Sequence, residues 1–147
     1  MKKTGVLNAE LMAALTKARH KDAIVIVDAG MPVPACANLV DISFIRGVPS
    51  LTDTLRGVLS EVVVESVAYY EPMARYNPAL LECLQGIFRR QKVEPVSSAD
   101  FKKICENAIV VVRTAEYGAC SNLILYSASG LDEFYDKYNI DPTEIPG

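Results

Sequence analysis

Five apolar residues in a row, Ala23-Ile24-Val25-Ile26-Val27, follow the polar turn Arg19-His20-Lys21-Asp22 and run directly into Asp28. The run is too short for a helix of ordinary length, and four of its members are β-branched, which favours a strand. It shows no alternation between apolar and polar residues. A strand of that kind is buried on both faces, the pattern of parallel strands covered by helices above and below. This one segment therefore points to a layered α/β fold.

The rest of the chain alternates between the two periods in the way such a fold requires. Asn8 is placed to cap a helix beginning Ala9-Glu10-Leu11, whose apolar stripe is Leu11, Ala14, Leu15 and Ala18. Asn38 to Ile42 reads as a short strand. Ser50 is placed to cap a helix through Leu59, with Asp53 at the reciprocal capping position. Val62 to Tyr70 is β-branched and aromatic, hence strand. Pro78 opens a helix to about Arg89. Ser97 or Ser98 caps another over Ala99 to Glu106, and Ala108 to Arg113 and Leu123 to Tyr126 are the last strands. Strands alternating with helices define an α/β class. Beyond residue 130, Leu131, Phe134, Tyr135 and Tyr138 fall on one face of a short helix. That tail is expected to cover its own domain, with packing across a subunit contact as the alternative.

Composition narrows the function classes. At 147 residues the chain makes one domain, large enough to bury roughly two-thirds of its unfolded surface. No stretch approaches the ~18 apolar residues of a membrane span, and the N-terminus lacks a signal-peptide core, so a cytoplasmic location and no membrane partner are expected. A net charge of −3 without a basic cluster argues against nucleic acid. Cys36, Cys83, Cys105 and Cys120 show no C-x-x-C spacing, so reduced thiols are expected, with no metal site.

His20 is the only histidine. Its ordinary pKa of about 6.5 makes it the obvious side chain for giving and taking protons near neutrality. His20 and Asp28 flank the Ala23–Val27 strand, where polar groups can emerge into surface clefts. A Cys120–His20 nucleophile pair is disfavoured, because no third orienting group and no nucleophile signature accompany it.

The chain resembles the family of D-ribose pyranases and L-fucose mutarotases. The resemblance is carried by Val6-Leu7-Asn8, by Arg19-His20-Lys21-Asp22 followed by Asp28-Ala29-Gly30-Met31-Pro32-Val33-Pro34, and by Arg46-Gly47-Val48-Pro49-Ser50. It continues through Val64-Glu65, Glu71 and Asn77-Pro78 into Arg113-Thr114-Ala115-Glu116 and Asn122-Leu123-Ile124-Leu125. It implies a three-layer α/β/α sandwich over residues 1–130, with 131–147 as a C-terminal helical extension. It also implies a homo-oligomer, a closed ring and often a decamer, with sites near subunit contacts. The implied chemistry opens a sugar ring by protonating the ring oxygen while the anomeric hydroxyl loses a proton, then closes it again. No cofactor is needed for that.

By the same match His20 is the proton donor, and Asp28 accepts sugar hydroxyls and could also hold the imidazole. Asp22 is the rival orienting carboxylate, though a turn residue is the preferred reading. Asn122 offers an amide to a sugar hydroxyl, while Glu116 and Glu71 match as supporting carboxylates. Two positions depart from the family. Ser98 stands where ribose pyranases have His and fucose mutarotases Arg, and Cys120 stands where the family has Tyr. Tyr117 or a tail tyrosine offers a phenol from a different direction. The shorter side chains leave a roomier, less polar pocket, which tips the expectation narrowly to L-fucose over D-ribose. A non-catalytic monosaccharide-binding or transport-associated protein is the alternative.

Overall fold

The first two helices start where their capping side chains dictate. Asn8 Oδ1 accepts from the Leu11 N–H at 2.9 Å and opens α1 (Ala9–Lys17). Ser50 and Asp53 exchange both bonds of a capping box, at 3.1 and 3.0 Å, at the head of α2 (Leu51–Leu59). These elements belong to a computed structural model that describes residues 1–147.

Six strands form one sheet: β1 (Ala23–Val27), β2 (Leu39–Asp41), β3 (Val64–Tyr70), β4 (Lys92–Val96), β5 (Val110–Arg113) and β6 (Leu123–Ser127). Their spatial order is β2-β5-β1-β6-β3-β4. Only β6 runs antiparallel, pairing that way with both β1 and β3, while the β1–β5, β2–β5 and β3–β4 pairs are parallel. The remaining helices are α3 (Met73–Tyr76), α4 (Pro78–Ile87), α5 (Ser98–Asn107) and α6 (Asp132–Tyr138), followed by a 3-10 turn at Pro142–Glu144. None is long and apolar enough to cross a membrane.

Strand alternation splits the core into two layers. Ile24, Ile26, Val110, Val112, Leu123 and Leu125 point to one face and pack on Leu11 and Leu15 of α1, Leu55 and Val58 of α2, and Leu84 of α4. Val25, Val27, Val111 and Ile124 point to the other and meet Phe101 and Cys105 of α5. Each large apolar side chain buried this way contributes about 1.5–3 kcal/mol. The result is the α/β/α sandwich implied by the resemblance, with β1 buried on both faces.

One strand and one helix are absent from the sequence reading, as is the 3-10 turn near the end of the chain. The edge strand β4 carries Lys92, Glu94 and Pro95, residues poor in strand propensity, and is held by β3 alone. The single turn α3 precedes Asn77, whose side chain caps α4. The tail forms its helix, but the apolar stripe divides. Phe134 and Tyr138 are half-buried, whereas Leu131 and Tyr135 stay 57% and 55% exposed.

The topology sorts the loops between two edges. The segments after β1, β3, β4 and β5, and the entry to antiparallel β6, gather at the carboxyl edge. The turn before β1, the start of β3, Gln91 before β4 and the exit from β6 gather at the opposite edge.

Candidate active site

At the amino edge, α1 ends in a tight turn. Arg19 N donates to Asp22 Oδ2 at 2.7 Å, Asp22 N donates back to Arg19 O at 3.0 Å, and Lys21 takes a φ of 66°. Asp22 is therefore a turn residue, not the orienting partner of the imidazole. That partner is Glu65, whose Oε2 lies 3.0 Å from His20 Nε2. A carboxylate can only accept, so Nε2 carries the shared proton and Nδ1 is the nitrogen left free. The Glu65 side chain is 14% exposed and that of His20 is 47% exposed, so the imidazole is wet on one side and backed on the other.

Glu65 owes its direction to an irregularity in the sheet. Pairing steps from Val64↔Ser127 to Ser66↔Tyr126, leaving Glu65 as the extra residue of a bulge. Bulges turn a side chain out of the regular alternation. The family resemblance includes Val64-Glu65 but implies no role for Glu65. The available signal was an acidic residue inside an otherwise β-branched and aromatic run. Phe134 of α6 meets the same imidazole edge-to-face, with ring centroids 5.8 Å apart and planes at 69°.

At the carboxyl edge, Asp28 and Asn122 clasp each other. Asn122 Nδ2 donates to Asp28 Oδ2 at 2.9 Å, and Asp28 N donates to Asn122 Oδ1 at 2.9 Å. Asp28 Oδ1 accepts from Gly30 N at 3.1 Å. Asn122 is 1% exposed, so its amide fixes the carboxylate that reaches the surface. Beside them lies a concavity of about 310 Å³ bordered by Asp28, Ala29, Gly30, Glu116 and Tyr117.

Of the other residues expected at this edge, Glu116 and Tyr117 border the concavity, whereas Ser98, Glu71 and Cys120 are not among the residues that line it. Glu116 Oε1 accepts from Gly118 N at 2.8 Å and Oε2 from Leu51 N at 3.2 Å, tying its loop to the head of α2. Gly118 has no role in the sequence reading: a Cβ there would stand 2.9 Å from Ser121 Oγ and 3.1 Å from Asn77 Nδ2 and Glu116 Oε1, so any larger residue must displace these side chains. Tyr117 is exposed beneath the Arg46 guanidinium, 4.7 Å from its ring centre. Ser98 Oγ donates to Tyr70 Oη at 3.1 Å. Glu71 is exposed in the turn between β3 and α3. Cys120 is half-buried at a φ of 54°, and burial together with the Asp28 charge pushes its thiol up.

One expectation fails on topology: Asp28 does not hold the imidazole. The disfavoured Cys120–His20 pair does not form either. Asp28 and Cys120 both lie at the carboxyl edge, separated from His20 by β1, whose five residues span about 16 Å at ~3.3 Å each. One chain thus carries two polar clusters on opposite edges of its sheet: a His–Glu pair of proton-exchanging chemistry, and an Asp–Asn pair whose carboxylate can accept hydroxyl hydrogens.

The fold and this arrangement define a small α/β/α protein of polar strand-end sites. The chain belongs to the RbsD / FucU transport protein family, whose sequence model matches residues 1–129. It is 38% identical over 135 residues to the D-ribose pyranase of Actinobacillus pleuropneumoniae serotype 5b, covering 86% of this chain and 97% of that one. The D-ribose pyranase of Thermoanaerobacter pseudethanolicus is 37% identical over 127 residues, with the same coverage of 86% and 97%. Among solved structures, Bacillus subtilis RbsD complexed with D-ribose superposes with a TM-score of 0.83 at 34% identity, over 89% of this chain and 100% of that one. The fucose mutarotase of Streptococcus pneumoniae in complex with L-fucose shares the fold at TM-score 0.66 and 19% identity, over 85% and 95% of the two chains.

Proposed function

We propose that this protein is a sugar-ring isomerase that interconverts the cyclic forms of a free aldose, with His20 as the proton-transferring group and Asp28 as the hydroxyl acceptor. The observation that carries the reading is the His20–Glu65 pair, which engages Nε2 and leaves Nδ1 of the only histidine without a partner on a half-exposed side chain. In ring opening, an acid delivers a proton to the ring oxygen as the bond from that oxygen to the anomeric carbon breaks. A base takes the anomeric hydroxyl proton, leaving an open-chain aldehyde. Reclosure from the other face, or through another hydroxyl, returns the protons, so atoms and charge balance over the cycle. Positioned acid–base groups contribute typically about 10²–10⁴-fold to such steps.

Because the two clusters of one chain face opposite ways, a complete site needs His20 from one copy and Asp28 from another. That requirement supports the closed homo-oligomer implied by the resemblance. The apolar side chains Phe44, Ile45 and Val48, at 80%, 58% and 48% exposure, offer a surface for such a contact. D-ribose is the preferred substrate, because the relatives at 34–38% identity are named for ribose and the fucose mutarotase lies at 19%. The wider pocket expected from Ser98 and Cys120 keeps L-fucose as the competing sugar.

Saturation-transfer NMR at the anomeric protons of D-ribose and L-fucose tests the reading. Faster exchange of one sugar, lost in His20→Asn, is the expected result. Sugar binding without acceleration would overturn the enzymatic reading and leave a non-catalytic monosaccharide-binding protein.

A further inference from the structure

The helix α6 lies beyond the family match, which stops at residue 129, yet it reaches the candidate acid–base group. The Bacillus subtilis chain is wholly accounted for by 89% of this one, so it leaves no counterpart for the rest. Phe134 sits on the imidazole of His20 at 5.8 Å and also stacks at a tilt on Tyr138, 5.9 Å away. Gln91 Nε2 donates both to Tyr138 O at 2.8 Å and to Val64 O at 3.0 Å. One buried amide thus fastens the end of α6 to the strand residue next to Glu65. Arg90 adds a longer bond to Asp136 O at 3.4 Å.

We infer that Phe134 is a positioning residue of the His20 half-site, supplied by a helix this chain has added to the family fold. The inference rests on the reading of His20 as the proton-transferring group. His20 stands on an exposed turn, and Glu65 alone fixes only one point of its ring. A hydrogen bond at Nε2 leaves the imidazole free to swing about that contact. The Phe134 ring blocks one side of the swing, so the two contacts together define where Nδ1 points. Geometry of that kind appears in turnover more than in affinity, because a misplaced proton donor still lets sugar bind. The clamp through Gln91 matters for the same reason: it sets the distance between α6 and the bulge that carries Glu65.

The test compares three variants of the full chain. Phe134→Ala should lower kcat by about tenfold with KM changed little, and Phe134→Tyr, which keeps the ring, should restore it. Leu131→Ala removes an exposed side chain at the head of the same helix without touching His20 and should behave as the parent protein. His20 is the only histidine, so its ring-proton resonances can be followed directly. They should shift in Phe134→Ala and stay in place in Leu131→Ala. Unchanged kcat and unchanged His20 signals in Phe134→Ala would overturn the inference. So would an equal effect from Leu131→Ala, which would make α6 a stabilising cover only. Failure of the underlying reading looks different: His20→Asn would keep full activity whatever Phe134 does. The His20 signals report on positioning even then.

Discussion

His20 and Asp28 leave opposite ends of one strand. The imidazole is backed by Glu65 at 3.0 Å at the amino edge, and the carboxylate is clasped by Asn122 at 2.9 Å at the carboxyl edge. Neither pair has a side chain of the other within reach in the same chain. If the proposed reaction uses both, copies must meet edge to edge.

That arrangement predicts complementation. His20→Asn and Asp28→Asn should each lower the rate of anomer exchange by about 10²-fold or more as pure oligomers. Oligomers assembled from a mixture of the two contain contacts that unite an intact His20 with an intact Asp28, and activity should return in them. Exchange rates measured across mixing ratios decide the point. A mixture no more active than its components means that the two groups do not share a site.

Glu65 should matter through His20. Glu65→Gln keeps an oxygen that can accept from Nε2, whereas Glu65→Ala removes the partner altogether. The expected order of loss in kcat is therefore Glu65→Gln, then Glu65→Ala, then His20→Asn, with folding and oligomer size unchanged. Steady-state kinetics with the three variants gives the order directly. Equal activity in Glu65→Ala and the parent would remove Glu65 from the account.

How much of this was legible in the chain depends on which interactions are local. The caps at Asn8 and Ser50 satisfy partners three residues away, so residue type and spacing suffice to find them. The strand β1 announces itself because burial on both faces leaves no polar position. The edge strand β4 is the opposite case: Lys92, Glu94 and Pro95 pair with only one neighbour, and nothing in their own pattern requires a strand. Glu65 is illegible for a further reason, since its aim depends on a bulge set by register against β6, a partner some sixty residues away in sequence. The separation of His20 from Asp28 is open to reading, because a strand lies between them, but which groups back the imidazole in place of Asp28 is not. Those are Glu65 and Phe134, arriving from other elements.

The clasp at the carboxyl edge should be structural as well as functional. Asn122→Ala leaves the Asp28 backbone N–H without its partner in a buried setting, at a cost of about 1–3 kcal/mol. Urea denaturation should report that loss. Sugar affinity should fall at the same time, because the Asp28 carboxylate loses the bond that fixes its rotamer. A stable variant with parental affinity would mean that Gly30 alone holds Asp28.

Thiol reactivity should follow burial. Cys36 is exposed in the loop after β1, whereas burial pushes the Cys105 thiol up to about 11 and that of Cys120 also upward. Only thiolates alkylate readily. Iodoacetamide at neutral pH should modify Cys36 first and leave Cys105 intact in the folded protein, read by mass spectrometry. Alkylation of Cys120 at the rate of Cys36 would mean that a thiolate is stabilised beside Asp28, against the repulsion the geometry provides.

The capping box at α2 gives the stability of the fold an acid-sensitive component. Hydrogen bonds from Ser50, reinforced by the Arg56 charge, outweigh burial and hold the Asp53 carboxyl below the usual range. A carboxylate whose folded value is depressed stabilises the native state above its unfolded value, near 3.9, and that stabilisation is lost as pH falls through the lower folded value. Asp53 is 49% exposed, so solvent screens the charge and the pH-dependent part is modest. Ser50→Ala, which removes the cap oxygen, should cost about 1 kcal/mol at neutral pH. Asp53→Asn should be less stable than the parent at neutral pH, and the gap should narrow only below about pH 4, where the parent carboxylate takes up its proton. Denaturant curves for the two proteins from neutral pH downward test the sign. A gap that stays constant through that range would mean that the bonds to Ser50 do not depend on the charge of Asp53.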